Sequence, residues 1–389
     1  MILIKNGKVY TMNGQTLERG YILIENGKIK EVGPGDPGLW EGKAGQVIDA
    51  AGMYVMPGFV DAHCHIGLFE DGIGFEGEDG NEMTDPITPH LRAIDAINPM
   101  DKSFGEAVAG GVTTVVTGPG SANVLGGEFT AIKTVGSRVD DMVIKNPVAI
   151  KCAFGENPKR VYHEKKASPM TRMATAALLR EALMKAKRYM EKIERDGKGD
   201  KAPELDVKME ALVKVLKKEL PLKAHAHRAD DILTALRIAR EFDVDMTIEH
   251  CTEGHRITET LVQEGRGVVV GPGLTSRSKY ELRDLTFKTP GILSSAGLDI
   301  AIMTDHPVVP IQYLPVCAAL AVKEGMDEYK ALEAITINAA RIAGVDDRVG
   351  SLSTGKDADI AVFNGHPFGY TTRTRYVLVN GKIVFRGVS

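Results

Sequence analysis

Cysteine is scarce and scattered: Cys64, Cys152, Cys251 and Cys317 are the four in 389 residues, and no two form a C-x-x-C pair. That spacing excludes a disulfide framework and a thiolate zinc knuckle, and it leads us to expect a reducing, cytoplasmic setting. A basic excess is missing as well. Forty-eight Lys and Arg stand against 52 Asp and Glu, for a net charge of −4, so nothing here would draw a phosphate backbone or an anionic lipid surface. No apolar run approaches the roughly 18 residues of a membrane span. The opening MILIKNGKVY has no basic stretch followed by an apolar core, so secretion is not expected either. No long polar or repetitive tract interrupts a composition that is 43% hydrophobic, which excludes disorder. These absences leave a small molecule as the expected partner, with no nucleic acid and no membrane, and leave open a homo-oligomer.

The apolar pattern divides the chain into two kinds of structure. Near the beginning, Ile2-Leu3-Ile4 and Tyr21-Ile22-Leu23-Ile24 alternate with polar residues around Asn6-Gly7 and Asn26-Gly27, which read as hairpin turns. The unit returns near the other end, where Tyr376 to Val379 leads through Asn380-Gly381 into Ile383 to Phe385. Isolated hairpins are marginally stable, so residues 1–56 and 350–389 are expected to pack as one composite β-sandwich domain. Residues 57–349 then form an inserted second domain. There, short β-rich runs (58–61, 113–116, 148–151, 222–225, 246–249, 267–270 and 300–303) alternate with helical stretches such as Arg172 to Arg195 and Asp231 to Glu241. Seven runs, with one more hidden, suit an eight-stranded parallel α/β barrel.

Two stretches depart from this alternation. Leu68 to Pro99 is glycine-rich and acidic, with no Lys or Arg before Arg92, and reads as a long surface loop. Lys185 to Leu220, rich in Lys and Glu, reads as solvated helix with a Gly-Lys-Gly turn near Gly197. The Gly118-Pro-Gly120 and Gly126-Gly127 clusters lack the context of a phosphate loop and read as turns.

Histidines collect at the ends of the strand candidates. His63 and His65 form an H-x-H pair at the end of the first, and His225, His250 and Asp305 each end a later one. Residues two apart on a strand share a side, so His63 and His65 can face one point while Cys64 turns away. The same alternation turns Cys152 away from Lys151, and turns Glu249 and Cys251 away from His250. Imidazole and carboxylate ligands suit a borderline divalent ion such as zinc. Parallel barrels gather such residues at the carboxyl ends of their strands.

Val55-Met-Pro-Gly-Phe-Val-Asp-Ala-His-Cys-His65, the His225 and His250 strand ends, Met303-Thr-Asp305 and Thr354-Gly-Lys-Asp-Ala-Asp-Ile360 resemble the amidohydrolase superfamily, within it the imidazolonepropionase and prolidase-like branch. The resemblance implies a distorted (β/α)8 TIM barrel with a small β-sandwich built from both ends of the chain. It implies that His63, His65, His225, His250 and Asp305 hold one or two divalent ions, zinc being the expected one. Asp305 would be the general base in hydrolysis of a C–N bond (an amide, a cyclic amide or a dipeptide) by metal-bound water, and would return the proton to the leaving nitrogen. It also makes Lys151 either a carbamate bridging two metals, formed from CO2, or an ordinary ion-paired lysine. The runner-up is a mononuclear deaminase or imidazolonepropionase-type ring hydrolase. Such relatives carry a carboxylate three residues beyond the strand-five histidine, and here that position is Arg228. A non-catalytic scaffold of the same fold would have lost ligands, whereas none is missing.

Loops that follow the strands supply the expected substrate contacts. Glu156, Asn157, Arg160 and Tyr162 follow Lys151, and Arg277 and Lys279 follow the 267–270 run. His227 shares the side of His225. Arg228, three residues beyond His225, and His306, beside Asp305, are further candidates for substrate contact, while His90, His255 and His366 read as structural.

Overall fold

The computed structural model describes residues 1–197 and 203–387, so Lys198 and Gly199 of the turn expected near Gly197, and the last two residues of the expected composite domain, lie outside the described residues. Five strands come first: β1 (Ile2–Tyr10), β2 (Thr16–Glu25), β3 (Lys28–Pro34), β4 (Gln46–Asp49) and β5 (Tyr54–Pro57). Eight follow: β6 (Phe59–Cys64), β7 (Val112–Thr117), β8 (Leu125–Lys133), β9 (Val143–Ala153), β10 (Leu222–Ala226), β11 (Met246–His250), β12 (Val268–Val270) and β13 (Ile300–Ile302). The last are β14 (Ile360–Phe363), β15 (Thr374–Val379) and β16 (Lys382–Arg386).

Strands from both ends of the chain share one sheet, in the order β16-β15-β14-β5-β1-β2-β3 with β4 also on β1. The inward apolar residues Ile4, Ile22, Ile24, Val55, Ile360, Val362 and Leu378 make its core, the alternation that a half-buried strand requires. Asn26-Gly27 and Asn380-Gly381 close hairpins with positive φ at all four residues, as a two-residue turn demands. Asn6-Gly7 does not. It lies inside β1 at a register shift between Ile4 and Gly7, a bulge rather than a turn. A Cβ on Gly7 would stand 2.6 Å from Val55 Cγ2, so the glycine serves the close approach of β5.

The middle strands form a second sheet in chain order, β6 to β13. Asp305 N–H to His63 O at 3.3 Å and His65 N–H to His306 O at 2.8 Å bring the segment after β13 back onto β6, so the sheet is a nearly closed barrel. The expected fold class, a distorted (β/α)8 barrel with a small β-sandwich, is the one observed. The hidden eighth strand is β8, which runs antiparallel to both neighbours. It contains Gly126-Gly127, expected as a turn. Gly126 packs where a Cβ would meet Lys151 Cγ at 3.4 Å, so a missing side chain was mistaken for a chain reversal.

Helices Arg172–Asp196 and Ala229–Phe242 lie where expected, the first capped by the Thr171 side chain accepting from Ala174 N–H. The charged 185–220 stretch is not wholly solvated, because helix Val207–Leu216 buries Met209, Leu212 and Val215. These repeat at helical spacing beneath the Lys and Glu. The 68–99 loop is fastened to the barrel through bridges from Ile87 to Leu125 and from Arg92 to Glu128.

Candidate active site

Strand β6 and the residue that follows it deliver Asp61, His63 and His65, and all three are buried. His63 Nδ1–H donates to Glu249 Oε2 at 2.7 Å and His65 Nδ1–H donates to Gly118 O at 2.7 Å, which leaves each Nε2 facing the barrel axis. Strand β11 ends in His250, whose Nδ1–H donates to Gly271 O at 2.9 Å. Fixing one ring nitrogen in this way sets the tautomer and presents the other as a lone pair. Asp305 Oδ1 lies 3.2 Å from His65 Nε2 and 3.7 Å from His63 Nε2, and it has no hydrogen-bond partner. Burial would raise its pKa, but the His65 ring at 3.2 Å and the Lys151 ammonium hold it down at about 2.

His225, on β10, is the most informative ligand candidate. It is buried, and neither ring nitrogen has a hydrogen-bond partner. A buried imidazole without partners is costly, and a divalent ion would supply the missing partner. Ligand atoms of His63, His250 and Asp305 lie within 4.8 Å of one another, as do those of His225, His227 and His250. Burial pushes the pKa values of His63, His225, His227 and His250 well below the ordinary value, which keeps the rings neutral and ready to ligate. The residues therefore fit an ion of the zinc class.

Lys151 is fully buried at the centre. Its Nζ donates to His63 Nε2 at 2.9 Å and lies 5.4 Å from the centre of the Phe129 ring. Burial lowers its pKa to about 8, so neutral amine is available near neutral pH.

Glu249 corrects the alternation used above, because it faces inward together with His250. His250 has φ +71° and Cys251 +48°, so the pleat ends at Glu249 and the next side chain swings back to the same side. Glu249 Oε2 then serves His63 and also Lys223 Nζ, at 3.0 Å. Lys223 could have been found, since it lies two residues before His225. Asp61 could too, lying two before His63. It accepts from His63 N–H at 3.1 Å, Thr304 N–H at 3.1 Å and Thr304 Oγ1–H at 2.5 Å, tying β6 to the segment that carries Asp305. Burial raises its pKa to about 7. The four cysteines are all buried and unpaired, as packed residues.

The loop residues scatter. His227 reaches the site with Nδ1 paired to Thr252 Oγ1 at 2.8 Å. His306 is buried with both ring nitrogens unpartnered, and burial lowers its pKa to about 4. Glu156 and Asn157 border the site, Asn157 receiving Lys279 Nζ at 2.8 Å. Others turn elsewhere. Tyr162 is buried and its hydroxyl donates to Asn123 at 2.6 Å, Arg160 is exposed, Arg228 chelates Asp230 beside the Tyr280 ring, and Arg277 donates to Leu285 O at 2.7 Å. His255 is paired with Thr289, and His366 packs against Tyr10, Tyr54 and Phe368, as expected of structural histidines.

The histidine burial has a consequence for acid stability. With folded pKa values below the roughly 6.5 of an unfolded histidine, the unfolded state binds more protons, so the metal-free protein gains stability as pH rises and loses it below about pH 6.5. His306 alone, at about 4, accounts for on the order of 3 kcal/mol between those values. Asp61, Asp231 and Asp359, raised by burial, work in the opposite sense but are outnumbered by five histidines. Urea unfolding of chelator-treated protein at pH 7.5, 6 and 5 should show falling stability, and an unchanged midpoint would contradict the assignment of these rings as neutral.

With barrel, sandwich and histidine cluster in place, the family follows: residues 54–384 match the model of the amidohydrolase family, and the chain belongs to it. A crystal structure of an amidohydrolase from Thermotoga maritima MSB8 is 46% identical, with TM-score 0.94 and 100% of both chains covered. The amidohydrolase tasK of Hapsidospora irregularis is 28% identical over 94% of this chain and 40% of its own length. An adenine deaminase of Listeria monocytogenes is 24% identical over 98% of this chain and 57% of its own. The chain thus spans about half the length of these two curated relatives.

Proposed function

We propose that the chain is a metal-dependent hydrolase of the C–N bond of a small amide, cyclic amide or dipeptide. The observation that carries this reading is His225, buried with two unpartnered ring nitrogens and grouped with His227 and His250, while His250 also groups with His63 and Asp305. His63, His65 and Asp305 would hold one ion, His225 and His250 a second, with residues 57–349 as the catalytic domain and 1–56 with 350–389 as its sandwich. A zinc-class ion supplies carbonyl polarisation and a water of lowered pKa. Asp305 would take up at Oδ1 the proton released on attack and would return it to the leaving nitrogen. Glu249 holds the His63 ring, and Asp61 holds Thr304 and so the approach of Asp305. The expected partners are the substrate and further copies of the chain, in the cytoplasm.

Lys151 bears on the number of ions. As a free amine it occupies the His63 lone pair that an ion would need; as a carbamate it would offer two oxygens instead. Its burial and lowered pKa support the carbamate. Lys151→Met is expected to lower bound metal from two ions per chain to one, measured by mass spectrometry of the metal, with the unfolding midpoint retained. One ion in both proteins would favour the second reading, a mononuclear deaminase, which the Lys151–His63 hydrogen bond supports. A screen of N-acyl amino acids, dipeptides, cyclic amides and aminopurines with zinc, manganese or cobalt tests the function. Protein that retains no metal and hydrolyses none of these would overturn it.

A further inference from the structure

Glu281 lies in the single turn Tyr280–Leu282 of the loop after β12, and its side chain is 1% exposed. One oxygen is fixed: Oε2 accepts from Glu156 N–H at 2.9 Å, while Glu281 N–H returns to Glu156 Oε2 at 3.3 Å. Residue 155 permits this approach because it is glycine. A Cβ there would stand 2.8 Å from Glu281 Oε2, and its φ of +80° suits no other residue well. The other oxygen, Oε1, is buried and has no hydrogen-bond partner. It lies 3.6 Å from His225 Nε2, 3.7 Å from His227 Nε2 and 3.9 Å from Lys279 Nζ, and Lys279 already donates to Asn157.

A buried acceptor held in place without a donor leaves room for a donor from outside the chain. Other charged side chains of the loops are committed within the chain: Glu70 to Asn98, Glu82 to Thr84, Asp85 to Lys208, Arg228 to Asp230 and Arg277 to Leu285 O. We propose that Glu281 is a substrate-binding residue and that its Oε1 receives an N–H-bearing cationic nitrogen: an amidinium, guanidinium or ammonium group. A charge-assisted hydrogen bond in a desolvated site selects strongly against an analogue lacking the donor. Glu281 thus stands beside the strand-five histidine, from a loop remote in sequence, where Arg228 left the expected carboxylate missing. The proposal rests on the metal-dependent hydrolase reading.

The test uses the zinc-loaded full chain, titrated by calorimetry with acetamidinium, methylguanidinium and benzamidinium and with their neutral isosteres acetamide, methylurea and benzamide. Metal content and unfolding midpoint are measured on each sample. The wild type is expected to bind at least one cation tenfold or more tightly than its isostere. Glu281→Gln is expected to abolish that preference with metal content unchanged. Should Glu281→Gln fail to fold, Glu281→Asp, which withdraws the carboxylate by one methylene, reads the same loss. No cation bound, or a preference surviving the substitution, overturns the proposal. Loss of metal from Glu281→Gln does so too, since it would make Glu281 a ligand. A wild type that holds no zinc sinks the hydrolase reading instead, and that result is distinguishable from every outcome in which metal is present.

Discussion

Asp305→Asn is expected to lower kcat by about 10² to 10⁴-fold, the range for removing a general base, in a protein that still unfolds at its normal midpoint. The expectation follows from position. Among the described residues, Glu249 binds His63 and Lys223 and Asp61 binds Thr304 and the His63 amide, while the unpartnered Oε1 of Glu281 lies beside His225 and His227 rather than beside His63 and His65. Asp305 Oδ1 is buried, unpartnered and within 3.7 Å of two Nε2 atoms. Asparagine keeps its shape but cannot take a proton. The measurement is kcat on the best substrate from the screen, with bound metal quantified in the same samples. His225→Ala provides the contrast, since it should lose metal as well as turnover. A tenfold or smaller loss in Asp305→Asn would place the base elsewhere.

Much of this site is legible because β-structure has a period of two. His63 with His65, and Lys223 with His225, share a face by arithmetic alone, and the residues that end strands can be read as converging once a barrel is accepted. The rule fails where the backbone leaves the pleat. Glu249 was expected to face away from His250 because nothing in Thr-Ile-Glu-His-Cys signals the positive φ of His250 and Cys251. Glu281 was out of reach for a different reason. Its role depends on a loop contact with Glu156, 125 positions earlier in the chain, and on the absence of a side chain at Gly155. Glycine misled twice, at Asn6-Gly7 and at Gly126-Gly127, where it serves close packing of neighbouring strands rather than a turn. Tyr162 shows the converse, a polar loop residue whose hydroxyl is satisfied inside the protein by Asn123.

The Thr354 to Ile360 segment, which helped to mark the family, has a structural task that yields the largest stability prediction. Lys133, at the end of β8 and 3% exposed, bonds to Asp359 and lies 3.0 Å from Asp357. Arg348 Nη2 approaches Asp357 at 2.7 Å, and Lys28 reaches it from β3. Gly58 N–H donates to Asp359 O at 2.9 Å, so the network lies where the sandwich meets the barrel. Burial raises the pKa of Asp359 even with Lys133 beside it; Asp357, with three cations around it, is held low. Removing the cation bonded directly to Asp359 therefore strands a buried carboxylate. Lys133→Met is expected to cost about 3–5 kcal/mol, a large part of the roughly 5–15 kcal/mol of a typical fold. Urea unfolding at pH 7.5 measures it. Because the cost comes from the stranded charge rather than from the lost bond, Lys133→Met combined with Asp359→Asn should recover part of the loss, and the coupling energy in that cycle should exceed about 1 kcal/mol. Losses that simply add would mean that Lys133 acts through its packed stem, and that the charge at Asp359 is balanced without it.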